Sequence, residues 1–337
     1  MKSSKKILIG VIIAAVIVCI GASVGSTYIS IYDTLRIIVE KIFSIHLTEG
    51  IEMRDVSIVW TLRLPRVLLA FIIGGSLAMG GAVIQSVLKN QIASPYILGV
   101  SSGATLGAAL IMLTGFTIPL IGGFTLPLTG FLFGLLTVYI VISLSSKLDR
   151  TMSNNTIILF GMVFTLFIGA LLTTLLALFR EELRNLIYWQ MGSFALKGWS
   201  YVRLMLPFFV IGTLGILRYT REMDILTFGE EQAKSVGVET EKVRRRLFVF
   251  STILSGAAVS LSGVIGFVDL IAPHMARKIV GSNHRYVIPM SFILGGSLMV
   301  VTDLIARTIV SPSELPVGAI TALIGAPFFA WVYFKKK

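Results

Sequence analysis

The longest stretch without a charged residue covers residues 90–146, between Lys89 and Lys147. An ordinary soluble domain carries about 25% charged residues, whereas an ionised side chain at the centre of a membrane helix costs roughly 2.5 to 3.5 kcal/mol. These 57 residues therefore indicate a membrane interior, and they are too many for one transmembrane helix of about 20 residues. Because Gly122 and Gly123 follow Pro119, we place a turn there and predict two helices, over about 93–114 and 124–145.

The chain as a whole has the same character, with 55% hydrophobic residues, 14% charged residues and a mean hydropathy of +0.89. We therefore expect an all-α, polytopic membrane protein that forms a single transmembrane domain over residues 1–337. The apolar runs predict ten transmembrane helices. The eighth is short, and the ten lie at about 7–28, 67–88, 93–114, 124–145, 151–179, 204–217, 247–268, 269–281, 287–304 and 317–334.

Basic residues set the predicted orientation, because loops on the cytoplasmic side carry an excess of lysine and arginine. Ten spans put both termini on one side. That side then holds 19 of the 29 lysine and arginine residues, among them Lys2, Lys5, Lys6 and Lys335–Lys337. We therefore expect a multi-pass protein of a bacterial cytoplasmic membrane with both termini in the cytoplasm. The net charge of +12 is scattered among apolar runs, which argues against a nucleic-acid partner, and the single Cys19 excludes an intrachain disulfide.

One internal stretch, Arg218–Arg246, is called the charged segment below. It holds seven basic and six acidic residues between apolar runs, so it must face water. It also has helical character, because several residues recur at three- and four-residue spacing: Ile225, Phe228, Gln232, Ala233, Val236 and Gly237. The segment is either a solvated loop with some helix or a docking platform for a soluble partner, with Glu230 and Glu231 exposed beside the apolar face.

Motifs for several chemistries are missing from the sequence. It contains no GxxxxGK[ST] phosphate loop and no HExxH pair, and His46, His274 and His284 are dispersed. We therefore predict no catalytic residues and no metal site. Few ionisable residues lie within the apolar runs, so an ion-coupled carrier would have few side chains with which to bind a coupling ion. Asp303 and Arg307 have the four-residue spacing of a local ion pair on one helix.

Six blocks of sequence carry a resemblance. Arg63-Leu-Pro-Arg66, GGSLAMGGAVIQSVLKN (74–90), ASPYILGVSSGA (93–104), FGEEQAKSVGV (228–238), SGVIGFVDLIAPHMARKIVGSNHR (262–285) and ELPVGAITALIGAPFF (314–329) closely resemble the iron-siderophore and cobalamin permease family of type II ATP-binding-cassette (ABC) importers. They occur in that family's order and extend over nearly the whole chain. Two departures stand out, since the family usually has Asn-Pro-Leu-Ala at Asn90–Ala93 and a glycine at Asp269.

The resemblance implies a ten-helix permease that works with a second, identical or homologous permease, two separate ABC ATPase subunits and an extracytoplasmic substrate-binding protein. ATP and Mg²⁺ would then be used by the ATPase, and the permease itself would be neither an enzyme nor a cofactor-binding protein. It implies a ferric siderophore as the first candidate cargo, with haem and cobalamin as alternatives. The rival classes are an ion-coupled secondary transporter and a purely structural membrane subunit.

The resemblance also assigns residues. It implies contact with the ATPase for Phe228, Gly229, Glu230, Glu231, Ala233, Val236 and Gly237. It implies that Arg63, Arg66 and Arg307 meet carboxylates of the binding protein on the outer face, where arginine pairs with carboxylates through two parallel bonds; anchoring at lipid headgroups is the alternative. Our candidates for the transport pathway are Gln85, Gly99, Gly103, Gly107 and Asp269. Asp269 either touches cargo or the binding protein, or is merely solvated.

Overall fold

The computed structural model describes residues 3–25, 27–44, 47–48, 50–149 and 153–334, and within these ranges every regular element is helical. Lys2, Arg150, Lys335–Lys337 and His46, which were used in the sequence-based predictions, lie outside the described residues. The helices are α1 (Ser3–Ser23), α2 (Ile31–Phe43), α3 (Met53–Ser57), α4 (Leu64–Val87), α5 (Val100–Thr114), α6 (Thr125–Leu148), α7 (Asn154–Leu178), α8 (Arg184–Gln190), α9 (Trp199–Arg218), α10 (Thr220–Thr227), α11 (Glu230–Ser235), α12 (Thr240–Ser262), α13 (Val268–Val280), α14 (His284–Thr308) and α15 (Val317–Phe334).

Short helical turns of other kinds complete the described elements. A π-helical segment, Ile58–Arg63, joins α3 to α4, and 3₁₀ turns at Pro95–Leu98 and Gly122–Phe124 precede α5 and α6. The turn predicted at Gly122 and Gly123 is therefore present. The predicted third span is shortened at its start, because Pro95 begins the separate 3₁₀ turn, whose first free amide is capped by Ser94.

The predicted membrane fold is confirmed. Each of the ten predicted spans coincides with a helix, namely α1, α4–α7, α9 and α12–α15. Among the described residues, six helical stretches are long and apolar enough to cross a membrane: Ser3–Ser23, Met53–Val87, Gly122–Leu148, Asn154–Leu178, Trp199–Arg218 and His284–Thr308. α5 and α15 are shorter apolar helices.

The seventh span differs from the prediction at both ends. α12 begins at Thr240 rather than near residue 247, so the last part of the charged segment forms its first two turns. α12 ends at Ser262 because Gly263 adopts a φ of +81°, a backbone conformation that residues other than glycine rarely adopt. Asp269 consequently lies in the first turn of α13 and not at the end of the seventh span.

The core is organised around α4, which is buried along most of its length and packs against α12, α13 and α14. Gly74 of α4 faces Gly295 of α14, where a Cβ atom on either residue would collide with the partner's backbone. Small residues of this kind allow membrane helices to approach closely. α1, α7 and α9 lie at the periphery, and only 22% of the apolar stretch of each helix is buried.

The bundle has two distinct ends. At one end, called the charged end, Lys6 Nζ donates to the carbonyl of Ile279 (2.5 Å), and Asn154 Nδ2 donates to the carbonyl of Leu88 (3.0 Å) beside the charged segment. At the opposite end, called the cavity end, Arg63 Nη1 donates to the carbonyl of Ser23 (2.5 Å). The charged segment and the three predicted docking arginines therefore lie at opposite ends of the bundle.

Candidate functional site

The charged segment folds back on the bundle as two short helices, α10 and α11. α10 is fixed to α14, since Asp224 Oδ1 accepts a hydrogen bond from the His284 backbone amide (2.9 Å) and lies 2.5 Å from His284 Nδ1. Gly229 separates the two helices with a φ of +133°, which a residue with a side chain would adopt only with strain. α11 is fixed by Ala233, which is fully buried among the core residues.

The charged segment presents two large apolar side chains outward. Phe228 is 78% exposed and Val236 is 65% exposed, one on either side of α11. Glu231, Gln232 and Lys234 on the same short helix are also exposed. Exposed apolar side chains with a polar rim are typical of protein-protein contacts. The segment therefore holds an exposed apolar pair on helices that are packed against the bundle, which is compatible with the docking interpretation.

One predicted platform residue has a different environment from the one expected. Glu230 is not a free surface carboxylate, because its Oε1 atom lies 2.6 Å from Nη1 of Arg244. Arg244 is buried, and a buried charge must be paired to be tolerated. Glu231 is exposed as predicted, whereas Glu230 keeps a side chain that is 37% exposed but is engaged in this ion pair.

A cavity of about 540 Å³ lies at the cavity end and is called the arginine cavity. Residues from four separate parts of the chain line it: Gly25, Thr27, Ile58, Thr61, Leu62, Arg63, Arg66, Ala195, Leu196, Lys197, Gly198, Arg307, Ser311, Pro312 and Glu314. It brings together all three predicted docking arginines. It also adds Lys197 and Glu314, to which the sequence had given no role.

The arginines of this cavity are buried in its wall rather than presented on an open surface. Arg66 has two carboxylate partners. It donates to Asp303 from Nε (3.1 Å) and Nη2 (2.8 Å) and to Glu314 from Nη1 (2.7 Å) and Nη2 (2.9 Å). Arg63 donates to the carbonyls of Ser23 and Thr27. A guanidinium has five N–H donors, and burial requires partners for them. The three arginines are thus largely enclosed and already have partners within the chain, and their role in docking stays a prediction.

The predicted pair between Asp303 and Arg307 is present but long, with 3.8 Å between Arg307 Nε and Asp303 Oδ2. Arg66 takes the better-aligned position on the same carboxylate. Arg307 instead donates from Nη2 to the carbonyl of Gly21, at the end of α1. Asp303 is thus shared by two arginines, one from α4 and one from its own helix.

Lys197 is the cavity residue that sequence reasoning missed. Its Nζ atom donates to the carbonyls of Ser193 (2.6 Å) and Leu261, the latter at the end of α12. Burial, with a further contribution from the positive charge of Arg66, lowers the pKa of this amine to about 7. The sequence offered one signal only, a single lysine close to aromatic residues such as Trp199.

The pathway candidates occupy the inside of the subunit. Gly99, Gly103 and Gly107 are buried against α6, where added Cβ atoms would meet Thr137 or the carbonyls of Phe133 and Thr129. These three glycines therefore serve helix packing. The prediction that they line an open wall is wrong for this chain.

Gln85 and Asp269 form a buried polar cluster instead. Gln85 Oε1 accepts from Arg277 Nη1 (2.5 Å), and Gln85 Nε2 donates to the backbone carbonyl of Asp269 (3.3 Å). Asp269 is 1% exposed, and Ser94 Oγ donates to its carboxylate. Burial excludes the solvated alternative for Asp269. Among the described residues, no group of three or more histidine, cysteine, aspartate or glutamate side chains could hold a metal ion.

The helical fold, with the charged segment at one end and a basic cavity at the other, is that of a multi-pass permease of the ABC-importer class. A model of the FecCD transport family matches residues 12–335, and the chain belongs to this family. A solved structure described as an inward-facing conformation of a putative metal-chelate type ABC transporter is also similar. Its TM-score is 0.85 at 29% identity, and the match covers 98% of this chain and 99% of that chain.

Two curated relatives are similar to this chain in amino-acid sequence. An ABC transporter permease protein of Bacillus subtilis is 40% identical over 98% of this chain and 93% of its own length. A cobalamin import system permease protein of Halobacterium salinarum is 39% identical over 82% of this chain and 73% of its own length. The predicted resemblance to the iron-siderophore and cobalamin permeases is thereby confirmed.

Proposed function

We propose that this permease carries a metal chelate through a bacterial cytoplasmic membrane, driven by two separate ABC ATPase subunits that bind the charged segment. The observation that carries the proposal is the exposed pair Phe228 and Val236 on a short, firmly anchored helix in a chain of the FecCD family. An apolar pair of this kind fits a groove on a soluble partner. The charged end, with both termini, then faces the cytoplasm. ATP and Mg²⁺ are used by the ATPase, and the permease itself binds no cofactor.

We infer that the arginine cavity receives a carboxylate of an extracytoplasmic binding protein. The cavity combines Arg63, Arg66, Arg307 and Lys197 with one partly exposed acid, Glu314. The pairing of Arg66 with Glu314 shows that the cavity accommodates a carboxylate with bidentate geometry. A carboxylate of the binding protein would take the place of Glu314. The alternative role of headgroup anchoring is less consistent with side chains enclosed in a cavity.

We infer further that the pathway lies between two permease copies. The five residues first considered for it are buried inside one subunit, and the peripheral helix α7 leaves an apolar face uncovered. The second copy is either identical or homologous. Native mass measurement of the purified complex should therefore show two permease chains. A transport-competent complex with a single permease chain would contradict this arrangement.

Three candidate cargoes remain. A ferric siderophore is the commonest cargo of the family that the motifs resemble, whereas the 39% identical archaeal relative is named for cobalamin; haem is a further alternative. All are large metal chelates. Uptake of labelled ferric siderophore into proteoliposomes should be competed by unlabelled siderophore and not by cobalamin or haem. Competition by cobalamin alone would assign the second cargo.

The ATP-driven mechanism is tested in the same vesicles. Replacing the phosphate-loop lysine of the ATPase subunit removes ATP hydrolysis without changing the permease. Uptake should then fall to the level of empty vesicles. Uptake that persists and follows an ion gradient would identify an ion-coupled secondary transporter instead.

A further inference from the structure

Arg244 is a buried cation that the proposed docking and transport roles do not yet use. It lies near the start of α12, is 2% exposed, and is among the largest fully buried side chains of the described residues. Its guanidinium donates hydrogen bonds to two partners. Nη1 donates to Glu230 Oε1 (2.6 Å), and Nη2 donates to Asn154 Oδ1 (2.6 Å).

The two partners of Arg244 belong to different parts of the molecule. Glu230 is the first residue of α11, the helix that carries the proposed ATPase contact, and Asn154 is the first residue of α7. Asn154 also donates from Nδ2 to the carbonyl of Leu88, at the end of α4 (3.0 Å). One guanidinium and one amide therefore connect the proposed docking helix with the ends of two transmembrane helices.

α7 has few other ties to the charged segment. It packs against α5, α6 and the turn Pro95–Leu98 and is largely uncovered elsewhere. Hydrogen bonds that involve a charged group are shorter and stronger than neutral ones, and burial strengthens them further. Glu230, Arg244 and Asn154 therefore form a continuous chain of hydrogen bonds from α11 to α7.

We propose that Arg244 is a positioning residue that transmits movement of α11 to α7 when the ATPase binds and hydrolyses ATP. The inference rests on the proposed function, because it requires an ATPase seated on α11. Arginine suits this role because its planar fork holds two partners in fixed directions, whereas a lysine ammonium is a single point charge on a flexible stem. A purely static role would fix α7 to the bundle but would not make its position depend on nucleotide.

The experiment follows α7 directly in the complex of permease and ATPase. In a Cys19→Ser background, Leu166→Cys on α7 and Leu136→Cys on α6 provide two exposed labelling sites. Spin-label distances are measured in lipid nanodiscs, with and without a non-hydrolysable ATP analogue. Co-purification of the ATPase and its hydrolysis rate are recorded for every variant.

Adjacent asparagines supply a matched pair of variants. Asn154→Leu removes the acceptor of Arg244, whereas the neighbouring Asn155 is exposed and has no side-chain hydrogen bond within the described residues. Asn154→Asp keeps an acceptor oxygen in place. We expect a nucleotide-dependent change in distance in the parent, Asn155→Leu and Asn154→Asp proteins. Asn154→Leu should retain the ATPase and its hydrolysis but lose the change in distance, and cargo moved per ATP should fall at least tenfold.

A second variant keeps the test decisive if Asn154→Leu does not yield a folded protein. Arg244→Gln removes the charged fork and leaves Glu230, a predicted ATPase contact with a partly exposed side chain, unchanged; it should also uncouple hydrolysis from the movement of α7. An unchanged, nucleotide-dependent distance in either variant, with hydrolysis intact, would overturn the proposal for Arg244. Failure of the parent permease to retain any ATPase would instead overturn the proposed function on which it rests.

Discussion

Arg66 and Glu314 are joined by two parallel hydrogen bonds, of 2.7 Å from Nη1 to Oε1 and 2.9 Å from Nη2 to Oε2, although 248 residues separate them in the chain. Glu314 lies between α14 and α15 and is partly exposed, whereas the second partner of Arg66, Asp303, is buried. The hydrogen bonds from Arg66 hold the pKa of Glu314 below its usual range. The fork proposed to receive a foreign carboxylate is therefore already occupied by one from the chain itself.

The first prediction concerns the pairing of Arg66 with Glu314. Glu314→Gln should raise the affinity for the binding protein several-fold, because a neutral amide competes less well than a carboxylate for Arg66. The gain should shrink at high salt, as expected for a charge-dependent contact. Affinity is measured by titrating the binding protein against the permease complex in nanodiscs. Glu52→Gln, an exposed acid of the segment predicted to lie on the outer side, is the control and should leave the affinity unchanged. A loss of affinity in Glu314→Gln would show that Glu314 orients Arg66 for docking rather than competing with the partner.

The second prediction concerns pH and Lys197. Burial lowers the pKa of its amine from an ordinary value near 10.5 to about 7, so between these values the unfolded chain binds a proton that the folded protein has released. The free energy of unfolding should therefore rise with pH across this window, relative to a Lys197→Met variant. Thermal unfolding of both proteins at pH 7 and pH 9 measures the effect.

An exposed lysine provides the control for this pH series. Lys234→Met at the other end of the bundle should follow the parent protein at both pH values. The difference in melting temperature between the parent and Lys197→Met should move in favour of the parent as pH increases. An equal difference at pH 7 and pH 9 would contradict a lowered pKa of Lys197.

The third prediction separates the two adjacent glutamates of α11. Glu231 is exposed, whereas Glu230 pairs with buried Arg244. Glu231→Arg should weaken ATPase association and leave the melting temperature of the isolated permease unchanged. Glu230→Arg should lower both, because it removes the carboxylate partner of buried Arg244 and places a second cation beside it. Co-purification and thermal unfolding of each variant measure the two effects, and equal melting temperatures for both variants would argue against a structural role for Glu230.

The ten spans could be predicted because a membrane interior excludes charge, so the apolar runs between charged residues reveal the helices directly. The same reasoning does not predict the role of the glycines in α5. A row of small residues is required both for close helix packing and for a wide pathway, and only the position of α6 shows that Gly103 and Gly107 serve packing. Their spacing in the sequence is the same in either case.

Long-range pairing was the other feature that the sequence did not reveal. Charged residues at the ends of spans indicate proximity to water, and this placed Arg63 and Arg66 on the outer face without revealing their partners within the chain. Their burial depends on Ser23, Asp303 and Glu314, which are distant in the chain. The same holds for Arg244, whose link to Asn154 spans 90 residues. The location of the charged segment was predictable from composition, whereas the internal pairing of Glu230 depended on the tertiary fold.

The charged segment is the proposed binding site of the ATPase. Changing its exposed apolar pair, Phe228 and Val236, tests this most directly. Phe228→Ser with Val236→Ser removes the apolar contact while leaving buried Ala233 and the pair of Glu230 and Arg244 in place. The control is Leu120→Ser, which changes a 93% exposed apolar residue in the turn between α5 and α6.

The decisive measurement is the dissociation constant of the ATPase for the permease in nanodiscs. Truncating apolar anchors at the centre of an interface typically costs 2 kcal/mol or more, so we expect the double variant to bind at least about 30-fold more weakly. Leu120→Ser should bind like the parent protein. A double variant that retains the parent affinity and supports normal ATP-driven uptake would contradict the assignment of this segment as the docking site.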